Sequence, residues 1–132
     1  MRNPSQTTLA ALLVLYCVAS LIHFIHNAEF LADYPNLPRT WTPAGVYGAW
    51  AVMTSIGAMG WILFRRGFVF AGLAAIAAYA VCGLDSLGHY VLAPMSAHTL
   101  AMNGTILFEV TAAALLLVEI ARQATRRFVR SR

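Results

Sequence analysis

An all-α, polytopic membrane fold is predicted for these 132 residues: a bundle of four transmembrane helices, N-in and C-in. Three observations carry it. The composition is 60% apolar and only 11% charged, whereas soluble domains carry about 25% charged residues. The apolar residues collect into four long segments, and mean hydropathy is +0.68. Eight of the nine arginines fall at one set of segment ends. So few charges do not cover the surface of a soluble globule, and they exclude a disordered chain and a coiled coil as well. The remaining solvent is lipid. In lipid every backbone polar group must be satisfied inside its own segment, so the segments are helices.

The first segment, 8–30, follows Arg2. Its start, an arginine and then an apolar run, has the form of a signal peptide. Hydrophobicity nevertheless continues through Leu21, Ile22, Phe24 and Ile25, which suits an uncleaved span. A loop, 31–41, carries Pro35 and Pro38. The second segment, 43–64, opens on Thr42 as N-cap and Pro43 in the first turn. Arg65, Arg66 and Gly67 make a tight turn into the third segment, 68–92. Ser96, after Pro94, is the expected cap of the fourth, 97–121, and a basic tail, 122–132, follows. Each segment exceeds the roughly 20 residues needed to cross a hydrocarbon core of about 30 Å. The whole chain, 1–132, reads as one domain.

Arginine sets the orientation. Arg2, Arg65, Arg66, Arg122, Arg126, Arg127, Arg130 and Arg132 share one side, and Arg39 stands alone on the other. The positive-inside rule then makes both termini cytoplasmic, and a bacterial cytoplasmic (inner) membrane is the expected location. Tyr34, Trp41, Tyr47 and Tyr90 are expected in the outer aromatic belt, with Trp61, Phe64 and Phe68 in the inner one. Gly45/Gly48 and Gly57/Gly60 suit close helix packing. Cys17 and Cys82, inside apolar runs, read as small buried hydrophobes. Glu119 is expected to form a surface pair with Arg122 or Gln123.

One group of residues does not fit a lipid-solvated bundle. His23, His26, Asn27 and Glu29 lie near the outer end of the first helix, and Asp85 and His89 on the third. His98, Asn103 and Glu109 lie on the fourth. At 100° per residue, His23, His26 and Asn27 share a face, Asp85 stacks on His89, and His98, Met102, Thr105 and Glu109 form a stripe. A polar stripe facing lipid is expensive, so all three should face the interior. Glu109, near the midplane, is then expected to be neutral, metal-bound or hydrogen-bonded, with Tyr16, Tyr79, Cys17 and Cys82 at suitable depth.

Imidazole with carboxylate suits Cu, Fe or Zn. The expected metal ligands are His23, His26, Asp85, His89 and His98, with Glu109 and Asp85 as the expected catalytic groups. Met95 and Met102 beside His98 would suit Cu(I). No C-x-x-C-H motif is present, so any haem would be b-type. The leading expectation is therefore a transition-metal or b-haem site for redox or metal handling. The alternatives are a metal-free acid–base enzyme on a lipid-like substrate, and a non-catalytic membrane subunit or small transporter. Expected partners are the bilayer, anionic lipid at the arginine-rich tail, and a membrane subunit or second copy, but no nucleic acid. The stretch from His23 to Pro38 resembles the first helix and loop of the emopamil-binding and sigma-2-receptor family. The second helix has no acid where that family's site needs one, and the likeness is carried no further.

Overall fold

A computed structural model describes residues 4–130. Arg2 and Arg132 lie outside them. The described residues form five helices: α1 (Pro4–Glu29), α2 (Pro43–Arg65), α3 (Val69–Leu84), α4 (Gly88–Leu92) and α5 (Leu100–Arg130). A 3-10 turn, Asp85–Leu87, joins α3 to α4, so the third apolar segment is one interrupted rod rather than one helix. Four rods are long and apolar enough to cross a membrane: Gln6–Glu29, Pro43–Arg65, Val69–Leu92 and Leu100–Val129. No strand occurs among the described residues.

Local chemistry explains most boundaries. Gly45 N donates to the Thr42 side chain at 3.1 Å, and Pro43 occupies the first turn of α2. Gly67 turns the chain at φ 93°, a conformation that costs glycine nothing. The start of the fourth rod departs from expectation. Ser96 sits in a 3-10 turn, Met95–Ala97, and Thr99 takes the capping role, accepting from Met102 N at 3.2 Å. At its other end α5 runs through the residues expected to form a separate tail.

The rods pack as an antiparallel ring in the order α1, α2, α3, α5, with α1 and α3 diagonally opposed. Small residues allow the close approaches, as expected where lipid removes the hydrophobic drive for helix association. A Cβ at Gly57 would collide with the Tyr79 ring, one at Gly60 with Ile76, and one at Gly72 with the Phe64 backbone. Gly45 and Gly48, by contrast, meet no neighbouring helix. Tyr16, Leu73, Ile76, Tyr79, Ala112 and Leu116 fill the centre.

The molecule is apolar outside and polar at selected points inside. Val14, Val18, Ile22, Val52, Ile56, Val81, Leu115 and Val118 are exposed, while Ser20, His23, Ser86, His98, Glu109, Glu119 and Gln123 are buried. Such a surface on a soluble monomer would be an extensive sticky patch; in lipid it is solvated. Glu119 is therefore not a surface residue. It accepts from Gln123 Nε2 at 3.1 Å within the bundle. Phe64 is likewise buried rather than placed in a belt. It stacks on Trp61 at 5.8 Å and lies under the Arg127 guanidinium. Arg65, Arg127, Gln6 and Thr7 gather at one end of the ring, the arginine end. The histidines gather at the other.

Candidate functional site

At the histidine end the chain folds back on itself. Pro35 and Pro38 hold residues 31–41 in a compact loop, and Asn36 takes a left-handed φ of 59° while its side chain donates to Leu92 O at 2.8 Å. The result drives Tyr34 into the bundle, where it is 3% exposed. Tyr34 was expected in an aromatic belt. Instead its ring lies 4.9 Å from that of His89, 5.9 Å from His26, 6.4 Å from His98 and 6.5 Å from His23. Its hydroxyl bonds His26 Nδ1 at 2.9 Å. All four histidines thus converge around a tyrosine that the helical periodicity did not single out. Burial pushes the Tyr34 hydroxyl up to about 12.

Beneath this cluster lies a buried pair. His23 Nε2 stands 3.8 Å from Glu109 Oε2, and both side chains are essentially sealed from solvent. That distance couples the two groups electrostatically but is too long for a direct hydrogen bond. Glu109 Oε2 instead accepts from Ser86 Oγ at 2.5 Å, and Oε1 has no hydrogen-bond partner among the described residues. The expected partners Tyr16 and Tyr79 are otherwise engaged. Tyr16 donates to Tyr79 O at 3.0 Å, and the Tyr79 hydroxyl faces Ser20 Oγ at 3.4 Å. Ser86 becomes available because the helix gives way to a 3-10 turn at Asp85–Leu87.

The tautomer of His23 follows from its neighbour. Thr105 Oγ1 lies 3.2 Å from His23 Nδ1 and donates its one proton to Met102 O at 3.1 Å. With the Thr105 proton on Met102 O, Nδ1 carries the ring proton and donates to Thr105, and the Nε2 lone pair lies on the Glu109 side. His98 is fixed the same way. Nδ1 donates to Pro94 O at 3.1 Å, and Nε2 is buried without a partner. Asn27 Nδ2 meets His89 Nε2 at 3.4 Å, leaving Asn27 Oδ1 buried and unpartnered.

His23, Ser86, Asn27 and His89 open onto a cavity of about 610 Å³ between α1, α2 and the α3–α4 junction. Its remaining walls are mainly apolar, among them Phe24, Trp41, Val46 and Met53. Asp85 also lines this space; it is exposed there rather than buried against His23. Toward the arginine end the floor is closed, first by Tyr16, Ser20, Tyr79 and Trp50, whose indole donates to Ser20 Oγ at 3.2 Å. Below them lie Leu9, Leu73, Ile76 and Leu116.

Among the described residues no three His, Cys, Asp or Glu side chains form a group that could hold a metal ion. Of the five expected ligands, the four histidines are drawn together as rings and hydrogen-bond partners rather than as a ligand set, and Asp85 stays exposed on the cavity wall. His23 and His89 are 5.4 Å apart by ring centroid, and His89 and His98 6.2 Å. His26 and His98 each have Nδ1 committed to another partner.

No protein-family model matches the chain, nor does any curated protein or solved structure. Function is therefore read from the site itself. Two of its members escaped the sequence reading. Ser86 is one serine beside the more conspicuous Asp85, and only a broken helix turns it to Glu109. Tyr34 lies in a loop, where spacing gives no direction. Its signal was the two nearby prolines, Pro35 and Pro38, nine and twelve residues after His26.

Proposed function

We propose that this protein is a metal-free acid–base enzyme of the membrane, acting on a lipid-like substrate held in the cavity between α1, α2 and the α3–α4 junction. The single observation that carries this reading is the buried His23–Glu109 pair opening, through His23 and Ser86, into a largely apolar cavity. An enclosed imidazole with a free Nε2 lone pair is a general base. The Glu109 carboxylate beside it stabilises the imidazolium formed when the proton arrives, as paired acids do in other proton-transfer sites. Ser86 fixes the carboxylate and Thr105 fixes the ring, so little reorganisation is needed during transfer. The cavity volume lies within the range of about 300–1,000 Å³ taken by small-molecule sites. Its closed floor favours chemistry over passage through the bundle.

We further propose, from the arginine distribution, that the histidine end lies on the outer side of a bacterial cytoplasmic membrane and the arginine end against anionic lipid of its cytoplasmic leaflet. The transition-metal reading draws on the convergence of four imidazoles, but among the described residues no three His, Cys, Asp or Glu side chains form a ligand group. A b-haem would need only one or two of these imidazoles as axial ligands, and the apolar cavity beside the buried His23–Glu109 pair favours the acid–base reading over it.

The test compares lipid extracts of membranes containing wild-type protein, Glu109→Gln or His23→Gln, by mass spectrometry, with metal content of each purified protein. A lipid pool converted by wild type should be converted at least about a hundredfold more slowly by either variant, the lower range for a lost general acid or base. Glu109→Gln should keep its thermal midpoint, since an amide oxygen still accepts from Ser86. Identical lipid profiles in all three, or a stoichiometric metal lost with His23, would overturn the proposal.

A further inference from the structure

The lining of the cavity is chemically one-sided. Its single formally charged residue is Asp85, and neither lysine nor arginine reaches it. Arg39, the one cation of this end among the described residues, belongs to a separate surface hollow of about 870 Å³, which shares only Leu37 and Trp41 with the inner cavity. Of the buried polar side-chain atoms of this lining, the one left without a hydrogen-bond partner among the described residues is an acceptor, and the N–H donors there, the Trp41 indole and the His89 ring, are neutral. Asn27 Oδ1 is buried with no partner, because its amide nitrogen is turned to His89. His23 presents a lone pair at Nε2, because Nδ1 serves Thr105. A buried acceptor left empty is costly, so such a site favours whatever brings it a proton donor. An incoming anion would find no donor of full charge and would face the Asp85 carboxylate.

From this juxtaposition we infer that the cavity selects amphiphiles with a hydrogen-bond-donating head, an alcohol or amine, on an apolar tail, and rejects carboxylate or phosphate heads. The head sits between Asn27, Asp85 and His23, and the tail lies along Phe24, Val46 and Met53 toward the lipid. This deepens the acid–base reading by naming the substrate class of the same site, yet it concerns binding alone and is tested without turnover.

The experiment reads quenching of Trp41, which lines the cavity. Protein in nanodiscs is titrated at pH 8 with 12-bromododecan-1-ol, 12-bromododecylamine and 12-bromododecanoic acid, each at matched mole fraction of lipid. Trp41→Phe supplies the background from Trp50 and Trp61. The alcohol and the amine should quench at a mole fraction about tenfold lower than the acid, the equivalent of one buried hydrogen bond made or lost. Asn27→Leu should abolish most of that preference. Asp85 is exposed, so Asp85→Lys should leave the fold intact and bring the acid to parity or better. Equal quenching by all three heads, or an unchanged order in Asp85→Lys, would overturn the inference. Failure of the acid–base reading would show instead as unaltered lipid conversion in Glu109→Gln, with the binding order intact.

Discussion

Glycine 83 shows how finely the centre is set. A Cβ there would meet Tyr16 Cε2 at 2.5 Å and its hydroxyl at 2.6 Å, and the Tyr16 hydroxyl already holds Tyr79 O. Gly83→Ala should therefore destabilise the protein by about 1–3 kcal/mol, the usual cost of overpacking. Gly48→Ala, with open space around it, should be neutral or stabilising by up to about 1 kcal/mol through helix propensity. Thermal midpoints in one detergent compare the pair directly; equal shifts would count against the packing account. Tyr34 gives a second residue-level test, through pH. It lies outside the four rods, and burial pushes its hydroxyl up to about 12 from an ordinary value near 10. The folded protein keeps the phenol protonated where the unfolded chain ionises. This contribution is complete below about pH 10 and is lost as pH rises through about 12. Tyr34→Phe should be less stable at pH 8, by about 1 kcal/mol for the lost bond to His26. Its midpoint should also fall less steeply above pH 10, so the two curves converge. Parallel curves would show that Tyr34 does not titrate with unfolding.

At the level of the element, the entry to α5 separates what is read from composition from what is read from geometry. Thr99 accepts from Met102 N and Ser96 does not cap the helix. Thr99→Ala should cost about 1 kcal/mol, a typical lost N-cap, and Ser96→Ala should cost close to nothing, as measured by thermal unfolding followed by circular dichroism. Both residues are plausible caps by type, and which one serves depends on where Pro94 and the Met95–Ala97 turn deliver the chain. The four rods themselves were legible because lipid imposes one strong constraint, about 20 apolar residues in a row. Thr42 and Pro43 fixed the start of α2 for the same kind of local reason. The break at Asp85–Leu87 was missed although Gly83, Asp85, Ser86 and Gly88 cluster there, because the long apolar run on either side was read straight through them as helix. With it went Ser86, the one hydrogen-bond partner of Glu109. The four histidines face inward as their stripes predicted, whereas Asp85 of the same stripe is exposed and the inward place of Tyr34 was not foreseen. Periodicity orients residues on a helix and is silent about a loop that folds back.

For the molecule as a whole, the distribution of charge predicts how it sits. Arg65, Arg66, Arg122, Arg126 and Arg127 lie toward one end of the ring, with Arg65 and Arg127 packed over the rings of Trp61 and Phe64. Among the described residues Arg39 alone lies toward the other, beside Tyr34 and the loop. Cationic side chains are retained on the cytoplasmic side during insertion. Arg-over-aromatic contacts of this sort also hold the guanidinium at the depth of lipid headgroups. The histidine end should therefore face away from the cytoplasm, so that substrate reaches His23 from the outer leaflet. A single cysteine on each side decides this, in a Cys17→Ala, Cys82→Ala background. Thr40→Cys is the better outer probe than a cysteine at Asn36, whose left-handed backbone and bond to Leu92 O would be lost. Thr125→Cys is the inner probe, exposed near the end of α5. In intact cells a membrane-impermeant maleimide should label Thr40→Cys and spare Thr125→Cys, with both labelled once the membrane is opened. The reverse pattern would invert the orientation. The His23–Glu109 pair would then face the cytoplasmic leaflet, and the lipid comparison would have to seek a cytoplasmic-leaflet substrate.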